Sequence, residues 1–420
     1  MKKAFFIFIL IVTAKVLQAQ PPKKAPVYFQ FASQQNRQRM YKKLVDTTIR
    51  LALADPLADS TEGEWNEAFW AMELVVYKND FSKQKLTQAW KQALELSEDF
   101  QTNLIEVSYA LYPTEFKQGV TNLLHATSSI PIFIRCAEYL LRADAATAPL
   151  IPSLIQTKFG DTINTGLTIL QNRIASLKQT KPLPPLKDLF DKGFLKDQTV
   201  IYSFQRKNRD YAGLVIMRKP DGKFIKNKDG SIFHVPQLAR AVTNYPFYIT
   251  NGNTPQGILR FTGFAISGNY AIGPTANLQL SLPYEANPSI FFNDSSLEHT
   301  PWQKEMYASL LPESWKNNEA VYESFYAGAM GRSAIIMHGT TVNPAYYKGQ
   351  PYYPQTPSLG CLCSYEEWDN NGLRIKSYQQ QIVDALDNAE TNTGYVVVIN
   401  LNNDKKAVSI DEVKKYAPNP

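Results

Sequence analysis

The segment Lys181-Pro182-Leu183-Pro184-Pro185 divides this chain into two halves of different character. Clustered prolines lack backbone donors and fix the chain direction, so they stop a helix and stiffen the backbone around them. Before them, apolar residues recur three and four positions apart over 40–53, 64–77, 84–96, 100–112, 116–125, 131–142 and 163–177. That is the period of one helix face. Breaks at Asn79-Asp80, Pro113-Thr114, Ser128-Ser129 and Gly160-Asp161 separate the runs, and Ser82 and Thr114 suit helix N-termini. After the prolines the pattern turns to strands. Residues 199–204 and 211–217 are rich in β-branched and aromatic side chains, and Asp221-Gly222 and Asp229-Gly230 are hairpin turns. Further strands are expected at 258–266, 278–282, 333–337 and 395–400, with helices at 301–310 and 378–388. The expected fold class is therefore multidomain α and β: an N-terminal all-α helical bundle or solenoid, then a mainly β domain.

Residues 1–20 read as a signal peptide, with Lys2 and Lys3, an apolar stretch over 4–13 and Ala19 near the cut. The stretch is too short to span a bilayer comfortably, and no later apolar run reaches the roughly 18 residues a membrane helix needs. The mature chain is expected to be exported to the periplasm or cell envelope, with no transmembrane anchor. The remaining divisions are 21–180 for the helical domain, 181–194 for the Pro-rich linker, 195–403 for the β domain and 404–420 for a tail. The formal charge is +6, but Lys2, Lys3 and Lys15 belong to the leader. The rest of the chain has no dense Lys/Arg block, so nucleic acid is not an expected partner. Three cysteines in an exported chain of this size do not make a disulfide framework, and an odd number leaves at least one thiol free.

Two of those cysteines stand in Ser358-Leu359-Gly360-Cys361-Leu362-Cys363, downstream of His338-Gly339-Thr340. A thiol becomes a nucleophile when a base or cation lies nearby, and histidine is the usual supplier. Glycines beside both residues let backbone approach a substrate and offer amides to an oxyanion. A catalytic thiol of this kind is expected to alkylate rapidly near about pH 6. A zinc site on His338, Cys361 and Cys363 is a rival reading, but it lacks a fourth ligand. Cys136 falls in an apolar helical run and reads as packed core. Tyr346, Tyr347, Tyr352 and Tyr353 form either a lid or sugar-stacking surface, or ordinary packing.

These motifs resemble the L,D-transpeptidase (YkuD-type) catalytic domain. That family carries a His-Gly pair after a strand, then Ser/Thr-His-Gly-Cys, a hydrophobic residue and Asn or Arg. Asn253-Thr254-Pro255-Gln256-Gly257 is similar to its Thr-Pro-x-Gly turn. The resemblance covers roughly 199–400 and leaves the helical half untouched. It implies Cys361 as nucleophile, His338 as its base and Gly339 as the carbonyl that orients the imidazole. It further implies that the Gly360 and Cys361 amides hold the oxyanion, and that Ser358 and Thr340 line the site. Leu359 and Cys363 depart from the pattern. The activity implied is acyl transfer on peptidoglycan stem peptides (cross-linking, protein attachment, or L,D-carboxypeptidase or hydrolase action), with no cofactor and no metal. The alternative is a non-catalytic envelope scaffold or wall-binding protein, whose helical domain binds an envelope partner.

Overall fold

A computed structural model describes residues 25–177 and 182–417, so the signal-peptide reading and Lys181 lie outside the described residues. The N-terminal half is helical. It includes Gln34–Lys42, which runs on as a wider π-helical stretch over Lys43–Leu51, then Glu62–Val75, Asp80–Gln92, Glu98–Leu111, Lys117–Ala126, Ile130–Ala143, Leu150–Phe159 and Thr165–Ser176. Side-chain caps start several of these helices. Asn79 accepts from the Ser82 amide, Ser97 from Phe100 and Asn164 from Leu167. Each satisfies a donor that the helix itself leaves free. Ser82 thus acts three residues inside its helix, while Asn79 is the cap.

The C-terminal half is built on one mixed sheet. Its strands are β1 (Val200–Gln205), β2 (Gly213–Arg218), β3 (Val235–Gln237), β4 (Gly257–Ala265), β5 (Asn277–Ser281), β6 (Ile336–His338), β7 (Leu362–Cys363) and β10 (Gly394–Asn400), in the order β3-β2-β1-β10-β4-β5-β6-β7. A separate hairpin joins β8 (Glu366–Trp368) to β9 (Arg374–Ser377). Leu238, just past β3, exchanges two 2.8 Å backbone hydrogen bonds with Cys363. The eight-stranded sheet is thereby nearly closed into a barrel. β10 lies between β1, to which it runs parallel, and β4, to which it runs antiparallel. β1, β2 and most of β10 are buried along their length. Tyr202, Phe204, Ile216 and Val397 face one core, and Ile201, Val215, Met217 and Val398 the other. Burial on both faces explains why these strands read as unbroken apolar runs.

The stretch read as a linker, 181–194, contributes to the core from Leu186 onward: Leu186, Leu189, Phe190 and Phe194 pack beneath the sheet. The tail read at 404–420 also packs. Val408 and Val413 are buried, and Glu412 pairs with the fully buried Arg206 at 2.7 Å. The two halves share a core: Tyr245, Tyr248 and Ile249 of the C-terminal half are buried among the N-terminal helices. Across that boundary the Tyr248 hydroxyl donates to Glu138 at 2.7 Å, and Arg173 pairs with the same carboxylate at 2.8 Å.

Candidate active site

β6 and β7 run parallel with Met337 opposite Leu362 and His338 opposite Cys363. Met337 and Leu362 enter the core, so alternation along the strands puts His338, Cys361 and Cys363 on the other face. The long excursion between the strands, with its four prolines, therefore brings the Cys361 thiol to the face that carries the His338 imidazole, two positions before Cys363, which is the residue opposite His338. Both groups line one cavity of about 650 Å³, together with Thr340, Ser358 and Leu359.

His338 is buried, and its Nδ1 meets the Gly339 carbonyl at 2.5 Å. A carbonyl only accepts, so Nδ1 carries the proton and Nε2 keeps its lone pair. Burial lowers the imidazole pKa, which favours this neutral form. The Cys361 thiol donates to the Ala334 carbonyl at 3.6 Å and has no hydrogen bond to the imidazole. Burial raises its pKa, while the Ile336 amide and the Arg332 guanidinium pull it back. At rest the thiol and the imidazole that share this cavity are thus both shifted towards their neutral forms, and the thiol is not the low-pKa thiolate expected from the motif.

Gly360 takes φ +113°, a region that side chains avoid, and a Cβ there would strike the Arg332 guanidinium. Its amide donates to the Ser358 hydroxyl at 3.1 Å, and that hydroxyl donates to the Cys361 carbonyl at 2.9 Å. The expectation that the Gly360 amide faces an oxyanion is not met, because the Ser358 staple occupies it. Ser358 shapes the loop more than it meets a ligand. The Gly360 carbonyl accepts from the Thr254 hydroxyl at 2.9 Å, which ties the Thr254-Pro255-Gln256-Gly257 turn to the cysteine loop. Thr340 is buried. Its hydroxyl accepts from Val342 and from Thr356, so it too braces backbone.

Cys363 is buried, its sulfur contacts the Thr356 hydroxyl at 3.7 Å, and burial pushes its pKa up to about 12. Leu359 stands 54% exposed on the cavity wall. Cys136 is buried in its helix, as its apolar surroundings suggested. Of the tyrosines, Tyr347 and Tyr352 are packed, whereas Tyr346 lines the cavity and stacks on Tyr41 at 5.6 Å. Among the described residues, no group of three or more His, Cys, Asp and Glu side chains is placed to hold a metal.

Two residues carried no local signal. Arg332 is buried, donates to the Asn253 and Gly252 carbonyls at 2.9 Å and also to the Phe247 carbonyl, and is the cation nearest the thiol in its electrostatics. Glu366 sits beneath the His338 loop. It accepts from the Thr340 amide at 3.1 Å and from the Thr275 and Ser377 hydroxyls at 2.5 Å. The cavity also has a wall from the helical half, including Arg37, Met40, Lys43, Trp70 and Glu73. Comparison with protein-family models, with curated proteins and with solved structures finds no match for this chain.

Proposed function

We propose that the chain is an exported cysteine acyltransferase of the L,D-transpeptidase type, acting on peptidoglycan stem peptides. The observation that carries this reading is the His338 tautomer: with Nδ1 held by Gly339, a basic Nε2 shares the cavity with the Cys361 thiol. Because both groups rest neutral, the proton passes from sulfur to Nε2 as the sulfur attacks the peptide carbonyl. The Cys361 amide is the remaining oxyanion donor of the two that the motif suggests, and Arg332 stabilises charge developing on the sulfur side. The tetrahedral intermediate collapses with protonation of the departing amine by His338, which releases the terminal residue and leaves a thioester on Cys361. An acceptor amine then attacks the thioester, gives up a proton to His338 and regenerates the thiol. With water as acceptor, the same steps give a carboxypeptidase or hydrolase.

The test is incubation of the purified protein and of Cys361→Ala with muropeptides, followed by mass spectrometry. Loss of the terminal D-alanine or new cross-links are expected from the wild type alone. Products that persist in Cys361→Ala would exclude this thiol as nucleophile. A second reading, a wall-binding scaffold, draws on the missing thiol–imidazole hydrogen bond and on exposed Leu359. Muropeptide binding without turnover by the wild type would select it.

A further inference from the structure

The wall that the helical half contributes to the cavity carries Arg37, Arg39 and Lys43. Arg37, Met40, Lys43 and Leu44 recur at helical spacing and all line the cavity, so one face of this helix looks into it. None of the three cations has an ion pair among the described residues. Arg37 donates one bond to the Thr341 carbonyl at 3.1 Å, just past the His338 loop, yet its Nε is buried with no partner among the described residues. Burial works against its charge, and the titratable groups acting on it are Tyr346 and Tyr365, which are neutral at pH 7. Burial, and then the nearby Glu106, raise the pKa of the one acidic lining residue, Glu73. Its negative charge is thereby disfavoured, which leaves the three cations less opposed in the cavity.

We propose that Arg37, Arg39 and Lys43 form a carboxylate subsite, by which the helical half holds the free C-terminal carboxylate of a peptide in the Cys361 cavity. A partly buried guanidinium with a free Nε donor and no ion pair among the described residues, flanked by two exposed cations at the same cavity, is what a peptide carboxylate complements. The helical half is then a substrate-selecting wall, not a detached scaffold. This inference rests on the acyl-transfer reading only in treating Cys361 as the centre beside which the peptide lies. Its test removes the thiol and reads binding alone, so a lack of turnover does not decide it.

The experiment is calorimetric titration of the full-length Cys361→Ala protein with N-acetyl-alanyl-alanine and with its C-terminal amide. The acid is expected to bind about tenfold tighter than the amide, the difference one charge-assisted hydrogen bond makes. Arg37→Met is expected to abolish that preference, with Arg37→Lys restoring part of it. Arg39→Met/Lys43→Met alters exposed positions, keeps the fold testable should Arg37→Met not fold, and is expected to weaken the preference. Glu73→Gln is expected to leave it intact. Equal affinity for acid and amide, no binding of either, or an unchanged preference in the Arg39→Met/Lys43→Met protein would overturn the proposal. So would inorganic phosphate displacing the peptide more effectively than acetate does, which would mark a phosphate site.

Discussion

Burial raises the pKa of both Cys361 and Cys363, but only Cys361 has a cavity and a cation beside it. A thiolate at Cys361 gains from the Arg332 guanidinium; at Cys363 it would face Thr356 and a packed core. Alkylation with iodoacetamide is therefore expected to mark Cys361 and spare Cys363 in the native protein. Because the Cys361 pKa is raised, its rate should climb only above the free-thiol value of about 8.5. Arg332→Met removes the attraction and should move the midpoint higher still. Mass spectrometry across a pH series measures both effects, and a midpoint near pH 6 would contradict the neutral resting pair. The candidate thiol was legible as a type of residue in a type of loop. Its protonation state was not, because that depends on what surrounds it.

Strand β6 is shorter than its apolar run. The expected strand at 333–337 begins only at Ile336 because Ala334 takes φ +57° and gives its amide to Glu285 at 2.7 Å. That turn aims the Ala334 carbonyl at the Cys361 thiol. At the other end of β6, Gly339 is required by space: a Cβ there would overlap the Glu366 carboxyl, which anchors the Thr340 amide. Gly339→Ala is expected to cost about 1–3 kcal/mol of stability, as overpacking does, and to displace the His338 loop. Thermal unfolding and muropeptide turnover measure the two effects. An alanine variant with wild-type stability and turnover would show that the loop has slack. The His-Gly pair was visible in the sequence, but its partner Glu366 was not, since nothing near it in the chain points to His338.

The two halves meet through Glu138, which is buried and accepts from Tyr248 while pairing with Arg173. The arginine's pKa is raised, first by this carboxylate. Glu138→Ala would leave a cation and a phenol without their acceptor at the boundary. The expected loss is about 1–2 kcal/mol of unfolding free energy by denaturant titration, because the Arg173 side chain is 39% exposed and water screens part of the lost pairing. Unchanged stability would mean that the halves hold together without this contact. Such a boundary makes the helical half part of the cavity and not an appended module.

The sequence by itself determined where helices give way to strands, and it singled out which cysteines and which histidine to look at. Those properties come from local periodicity and from residue chemistry, and both survive in a linear reading. Only the tertiary structure decided that β10 inserts parallel to β1, that Leu186, Leu189, Phe190 and Phe194 are core, that Arg332 acts on the Cys361 thiol, and that the Arg37 wall shares its cavity. These depend on contacts between residues far apart in the chain. No short-range pattern records such a contact, because its energy comes from the packing of segments whose partners are chosen only when the whole chain folds.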